Sequence, residues 1–445
     1  MTLPEKLPPM RSFTARLSPV LQALRPVASP AAPTRRPRPE PGPANIEIAV
    51  RDLTRDELEA TRVFAQGQHL ARQENWVELG RLVRTFDTQR RRTSGGRSLA
   101  DLLAAGARAD AVEAGRDAVR RGDVRAANDP IEALEEVLRE LCEDHGVATV
   151  VARAHMDIGQ AWLGDSPRDA VPAARKAAFL GHYRAAARIV DRFDPFLLDA
   201  PGLAALRCGL LDADSRPSLR MADDYEDLID LDPQNDGALR QFGRHLLPRW
   251  YGSYEALDAE ARRTAARTGE VWGAGAYTWI YFDAVALDPM AFRRLDAEFF
   301  VEGLHDILDR RDDQHTANVM AAYTGLTLSG MAAPGSARGR IADCFDWILR
   351  DHLREIHPLV WAAAPAASHE KPVKGTEDGT RRGRVRALSA IAEQNLRGRQ
   401  EAATEAERIV DDEVGRFMSW WDSLEAMPVM SAISSAKASP SAETT

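Results

Sequence analysis

The chain is poor in the features that announce most chemistries. It has only three cysteines in 445 residues, Cys142, Cys208 and Cys344, too widely spaced for a disulfide framework or a CxxC metal knuckle. A reducing, cytoplasmic setting is therefore expected. No apolar run reaches the roughly 18 residues needed to cross a bilayer, and the N-terminal stretch has no continuous signal-peptide core. No GxxxxGK order builds a phosphate loop, no HExxH sets two imidazoles on one helix face, and no nucleophile elbow occurs. Strand-like alternation is scarce, which excludes a closed α/β sheet. Excess positive charge is missing too. With 58 basic and 67 acidic side chains the net charge is −9, and a broad nucleic-acid-binding surface is not expected.

What is present is helical periodicity with sharp punctuation. Seven prolines between Pro26 and Pro43, mixed with Arg35, Arg36 and Arg38, remove backbone donors and predict a flexible Pro/Arg-rich arm over residues 1–52. Order should begin near Leu53, where Thr54 and Glu57 have capping-box spacing and Ala60, Val63, Phe64, Gly67 and Ala71 recur at helical intervals. Further stripes follow at Trp76–Phe86, Ile131–Leu141, Tyr225–Leu231 and Leu239–Leu247. Ser253 is placed to open another helix through Leu257, Ala261 and Ala265. Ser166, Pro167 and Asp169 suit the start of a helix after a GDSP turn. The triplet FDP at 193–195 and the LDP triplets at 231–233 and 287–289 punctuate the body at intervals of 38 and 56 residues. A helical-repeat body over 53–365 is expected, and a stop is placed at His357-Pro358. An exposed linker or loop at 366–386, a C-terminal helical appendage at 387–430 with Phe417, Trp420, Trp421 and Leu424 for docking, and a disordered tail at 431–445 complete the expected organisation.

At two places the chain resembles tetratricopeptide-repeat proteins. Ile158-Gly159, Trp162, Gly164-Asp165 and Ala170, Ala174 and Ala177 resemble the repeat's small and aromatic positions. Phe242-Gly243, Leu246 and Tyr254-Glu255-Ala256 form the second match. The first turn is one residue short and LPRWYG lengthens the second. The run LLPRWYGS also resembles a poorly characterised family of bacterial proteins with such helices. The resemblance spans residues 148–330 and implies an all-α fold of irregular tetratricopeptide-like repeats in a right-handed α-solenoid. It further implies a protein-interaction or scaffolding role on a concave surface, with an unidentified protein or peptide as partner. It carries over no catalytic residue or cofactor.

The candidate partner-binding residues are Arg249, Trp250, Tyr251, Tyr254, Trp272 and Tyr277, with Trp279 and Tyr281 alongside. Exposed rings and a directed guanidinium supply rigid contact area, whereas buried rings would fill the core. Gly252 and Ser253 either shape a bend for an anion or form a structural turn. The acidic run from Asp223 to Asp232 either attracts a basic partner or is a solvated helix face. Arg381–Arg386 reads as a solubilising basic stretch, with nucleic acid or anionic lipid as the alternative. The enzyme alternative, a small-molecule hydrolase or transferase, gathers His305 and Asp309 on one helix face with His315 after a turn, as a metal or acid–base cluster.

Overall fold

The computed structural model describes residues 48–164, 170–330, 332–333, 335–365 and 375–425. The expected arm, apart from its last residues, the GDSP cap and the C-terminal tail lie outside the described residues. So do the side chains of Phe417, Trp420, Trp421 and Leu424.

The described part is all-helical but for one two-residue strand pair. A strand, Ala49–Val50 (β1), precedes α1 (Arg55–Arg72), α2 (Trp76–Thr88), α3 (Leu99–Arg121), α4 (Val124–Glu140) and α5 (His145–Leu163). Next come α6 (Ala173–Val190), α7 (Pro201–Leu210), α8 (Met221–Leu231), α9 (Asp236–His245), α10 (Tyr254–Arg267), the short α11 (Gly269–Trp272) and α12 (Gly275–Leu287). The last group is α13 (Ala297–Arg310), α14 (Gln314–Ala322), α15 (Ala337–Ala342), α16 (Cys344–Trp347), the strand Glu355–Ile356 (β2), α17 (Pro358–Ala363) and α18 (Gly375–Glu425).

Local chemistry explains many of these boundaries. Thr54 and Glu57 form the reciprocal capping box of α1, the Thr54 hydroxyl accepting from the Glu57 N–H at 3.2 Å and the Glu57 carboxylate from the Thr54 N–H at 2.8 Å. Asn235 and Ser253 cap α9 and α10 in the same sense, and α8 stops at Leu231, just before Asp232-Pro233. Close helix approach is set by missing side chains. A Cβ on Gly67 would lie 2.0 Å from the Leu103 carbonyl, one on Gly106 would lie 1.9 Å from that of Phe64, and one on Gly243 would lie 1.7 Å from that of Ile280. These glycines let α1 meet α3 and α9 meet α12 backbone to backbone.

Three apolar cores follow the chain. The first joins α1, α2 and α3, the second runs from α3 to α7, and the largest runs from α7 into α18. β1 pairs with β2 in parallel, Ala49 opposite Glu355 and Val50 opposite Ile356, and Arg51 reaches Glu355 at 2.9 Å. The start of the helical series is thereby tied to its far end.

Several expectations need correction. Ordered structure begins before Leu53, with β1. The helix start expected at Ser166-Pro167 falls outside the described residues; α6 is described from Ala173, with Pro172 at its N-cap. The helical run expected to stop at His357-Pro358 ends earlier, at His352, and β2 follows it; Pro358 opens α17, where its missing N–H costs nothing in a first turn. Gly375–Arg386, expected within an exposed linker, forms the first turns of α18, and Ala387, Ala390 and Ile391 join the largest core. A Cβ on Gly383 would sit 1.7 Å from the Pro358 carbonyl, so this polar stretch is helical because it packs directly on α17.

Candidate functional site, an arginine-lined cleft

Single stripes from many helices converge on a cleft of about 700 Å³. From α3 come Asp101, Leu102, Ala105 and Arg108, and from α5 Arg153, Met156, Asp157 and Gln160. Gly237, Arg240 and Gln241 of α9 face them, together with His315, Thr316 and Val319 of α14. Spacings of three, four and seven residues put each set on one helix face, so the cleft is the shared inner face of these helices. The loop Arg92–Ser98, pinned by an antiparallel bridge between its ends, lines the same space with Gly95, Gly96 and Arg97. Its anchors are distant in sequence. The Gly95 N–H donates to Asp56 at 2.8 Å, Arg97 pairs with Asp56 at 2.8 Å, and Arg92 pairs with Asp232. A Cβ on Gly95 would meet the Asp56 carboxylate at 2.6 Å and the His315 ring at 2.9 Å, so no larger residue fits that position.

Six arginines line the cleft, and five have carboxylate partners. Besides Arg92 and Arg97, Arg108 pairs with Asp157 at 2.6 Å, Arg240 with Asp283 at 2.8 Å and Arg311 with Asp236 at 3.4 Å. Arg153 is the sixth, half-buried, with no ion pair and no side-chain hydrogen bond to the described residues. Its charge acts on Tyr183 and Cys208, although burial dominates and pushes both groups well above their ordinary ranges. His315 is pushed down, chiefly by burial, against the opposite pull of Asp56 and Asp313. At neutral pH it is an uncharged imidazole.

A second, apolar cavity of about 310 Å³ adjoins the cleft and shares Arg97, Arg240, His315 and Val319 with it. Phe282, Ala322, Tyr323, Leu359, Val360, Ala363, Ala364 and Pro365 form most of the rest of its lining, with Asp56, Glu57 and Thr327 as its polar members. Trp279 of the cleft wall and Tyr323 of the apolar wall bury their Nε1 and hydroxyl groups with no hydrogen-bond partner among the described residues. Each such group costs about 1–3 kcal/mol.

Of the residues singled out in the sequence, His315 and Trp279 line the cleft and the others lie elsewhere. Trp272 and Tyr277 are 1% and 0% exposed and belong to the largest core, as does Tyr281, so these three offer no contact surface to a partner; Trp279 is buried in the same core and lines the cleft wall. Helix α12 is apolar all round, and packing on α9, α10 and α13 covers it. Trp250, Tyr251 and Tyr254 are half-buried against the same core, the Tyr251 hydroxyl donating to Asp212 at 2.6 Å and that of Tyr254 to Asp288 at 2.7 Å. Arg249 is exposed and lies 4.4 Å over the Trp250 ring. Gly252 and Ser253 form a structural turn: the Ser253 hydroxyl is used as the cap of α10, and a Cβ on Gly252 would sit 2.3 Å from the Leu246 carbonyl.

The acidic run is largely engaged internally. Glu226 pairs with Arg263 at 2.5 Å and with Arg267, Asp230 pairs with Arg267 at 2.5 Å, and Asp224 pairs with Arg220 at 2.8 Å. Within the basic stretch, Arg384 pairs with Asp52 at 2.5 Å and Arg386 donates to the carbonyls of Trp361, Ala362 and Ala364. His305, Asp309 and His315 do not converge. His305 and Asp309 are exposed on α13, with the His305 ring stacked 4.0 Å from that of Trp347, whereas His315 faces the cleft. Among the described residues no group of three or more His, Cys, Asp or Glu side chains is arranged to hold a metal ion. No helix among them is long and apolar enough to cross a membrane.

No family model matches the chain, and no solved structure matches it. Short stretches are similar to glutamyl-tRNA reductases. One of 60 residues is 40% identical to the enzyme of Synechococcus sp. strain CC9902 and covers 14% of each chain. Another, of 46 residues, is 48% identical to that of Syntrophotalea carbinolica and covers 10% of each. The chain thus spans about a tenth to a seventh of the length of the curated relatives it matches.

Proposed function

We propose that the protein is a non-catalytic interaction or scaffolding protein of the bacterial cytoplasm that receives a segment of a partner protein in the arginine-lined cleft. In this reading its helices are irregular tetratricopeptide-like pairs following a right-handed solenoid path, with β1 and β2 bridging the two ends. One observation carries the proposal: helices separated by up to about 220 residues of sequence each turn a polar stripe toward one 700 Å³ space, and one arginine of that space, Arg153, makes no ion pair with the described residues. A stability-optimised interior would fill that space with apolar side chains. The rim residues Arg249 and Trp250 are secondary in this account, because Trp250 is partly spent on packing.

The test is affinity capture from native lysate on the full chain, comparing wild type, Ala105→Trp and Trp250→Ala. Ala105 lies in the cleft wall, where an indole plugs the space. Partners held by the wild type should be lost with Ala105→Trp at unchanged melting temperature and kept by Trp250→Ala. A folded plugged variant that retains the same partners overturns the proposal.

A further inference from the structure

We infer that the segment entering the cleft is acidic and aliphatic: it sets one carboxylate against Arg153 and places a neighbouring aliphatic side chain in the apolar cavity beside His315. This rests on the interaction reading above and specifies its partner chemistry.

The charge comes first. Arg153 of α5 lines the cleft and its guanidinium has no partner among the described residues, while every other arginine of the described lining already has a carboxylate. The Arg153 guanidinium presents an incoming carboxylate with a fork of donors, a geometry that Lys could not offer. The same wall carries Asp101, whose carboxylate has no ion pair, and Asp212, already accepting from Tyr251.

The apolar half sets the second requirement. The cavity beyond His315 is walled mainly by Phe282, Val319, Leu359 and Val360, and its 310 Å³ admits one large aliphatic side chain. At its mouth Arg97 and Arg240 are neutralised by Asp56 and Asp283, and Glu57 is engaged by the Thr54 N–H as the capping residue of α1. The cleft wall mixes polar groups with Met156, Trp279 and Val319. A fatty-acid chain crossing it would desolvate ion pairs and amides without return, whereas a peptide backbone brings its own donors and acceptors to groups such as the exposed Gln241.

The probe is an array of immobilised dodecapeptide mixtures, with one position fixed as Glu, Gln or Lys, another one to four residues away fixed as Leu or Ser, and the rest randomised. Labelled full-length protein reads it out. Glu/Leu mixtures should retain about tenfold or more protein than Gln/Leu, Lys/Leu or Glu/Ser mixtures. Arg153→Glu should move the preference to Lys/Leu. Ala363→Trp, which fills the apolar cavity, should erase the preference for Leu over Ser while keeping that for Glu. Thermal melts followed by circular dichroism certify that both variants fold. A ranking indifferent to charge, a ranking unchanged in folded Arg153→Glu, or melting raised by dodecanoate with no peptide preference overturns the inference. If the array is indifferent while Ala105→Trp still releases partners, the peptide chemistry is wrong and the interaction reading stands. If Ala105→Trp releases nothing either, both fall.

Discussion

Asp87 closes α2 onto the start of α7, and its chemistry predicts a large pH effect from a single atom exchange. Both its carboxylate oxygens lie 3.0 Å from the Gly202 N–H, in the first turn of α7. Burial pushes its pKa up to about 7; the Gly202 N–H and Arg90 oppose the shift, while Asp101 and Asp232 reinforce it. The folded state therefore favours the protonated acid. A group whose pKa is raised on folding contributes stability that is complete below the unfolded value of 3.8 and is lost as pH rises toward and through 7. About three pH units at ~1.4 kcal/mol each give an upper figure of ~4 kcal/mol, which partial solvent access trims to about 2–4 kcal/mol. Asp87→Asn keeps a carbonyl oxygen for the Gly202 N–H and cannot ionise. In urea unfolding followed by far-UV circular dichroism, the variant should exceed the wild type by about 2–4 kcal/mol at pH 8, and by about half that or less at pH 5. An equal difference at both pH values, or a variant weaker at pH 8, would show that the native state holds Asp87 as a carboxylate and would refute the reasoning.

Other consequences concern packing. Gly243→Ala drives a methyl group into the Ile280 carbonyl and should cost about 1–3 kcal/mol or more, whereas Gly181→Ala, with nothing within 4 Å, should be neutral or stabilising by up to about 1 kcal/mol; melting temperatures of the pair decide this. Gly383→Ala should lift the start of α18 from α17 and raise hydrogen exchange at Ala387–Ile391 while leaving α1–α3 protected. Tyr323→Phe deletes a buried hydroxyl that has no partner, and should stabilise the protein by about 1 kcal/mol in thermal melts. A loss of similar size would mean that the hydroxyl is bonded in solution.

Sequence periodicity conveyed the helical class because caps and stripes are local. Thr54 with Glu57, Ser253, and the stop before Asp232-Pro233 sit within a turn of the boundaries they set. The cleft was illegible for the opposite reason. Its arginines run from Arg92 to Arg311 on different elements, each one polar residue on an ordinary amphipathic helix, and Arg153 stands out only once the five other arginines are seen to be paired. The adjacent Gly95 and Gly96 in an arginine-rich loop were the one local signal. Aromatic density around Trp272–Tyr281 pointed to a surface, yet Gly275–Val285 is buried on every face of its helix, the mark of a core element rather than a binding stripe. Gly375–Arg386 looked unstructured because its composition is polar, while contact through Gly383 with α17 supplies the order that composition lacks. The internal pairing of Glu226 and Asp230 with Arg263 and Arg267 was likewise out of reach, since it joins α8 to α10 across about 40 residues.

The central claim is that a partner segment occupies the cleft. It is tested most directly by site-specific photocrosslinking in cells, with a benzophenone amino acid placed at Gln241 in the cleft wall or at Glu140, exposed on α4 and outside the cleft lining. The account predicts discrete protein adducts from Gln241 that fade when Arg153→Glu is introduced, and none of these from Glu140. The same adducts from both positions, or no adduct from Gln241, would contradict it.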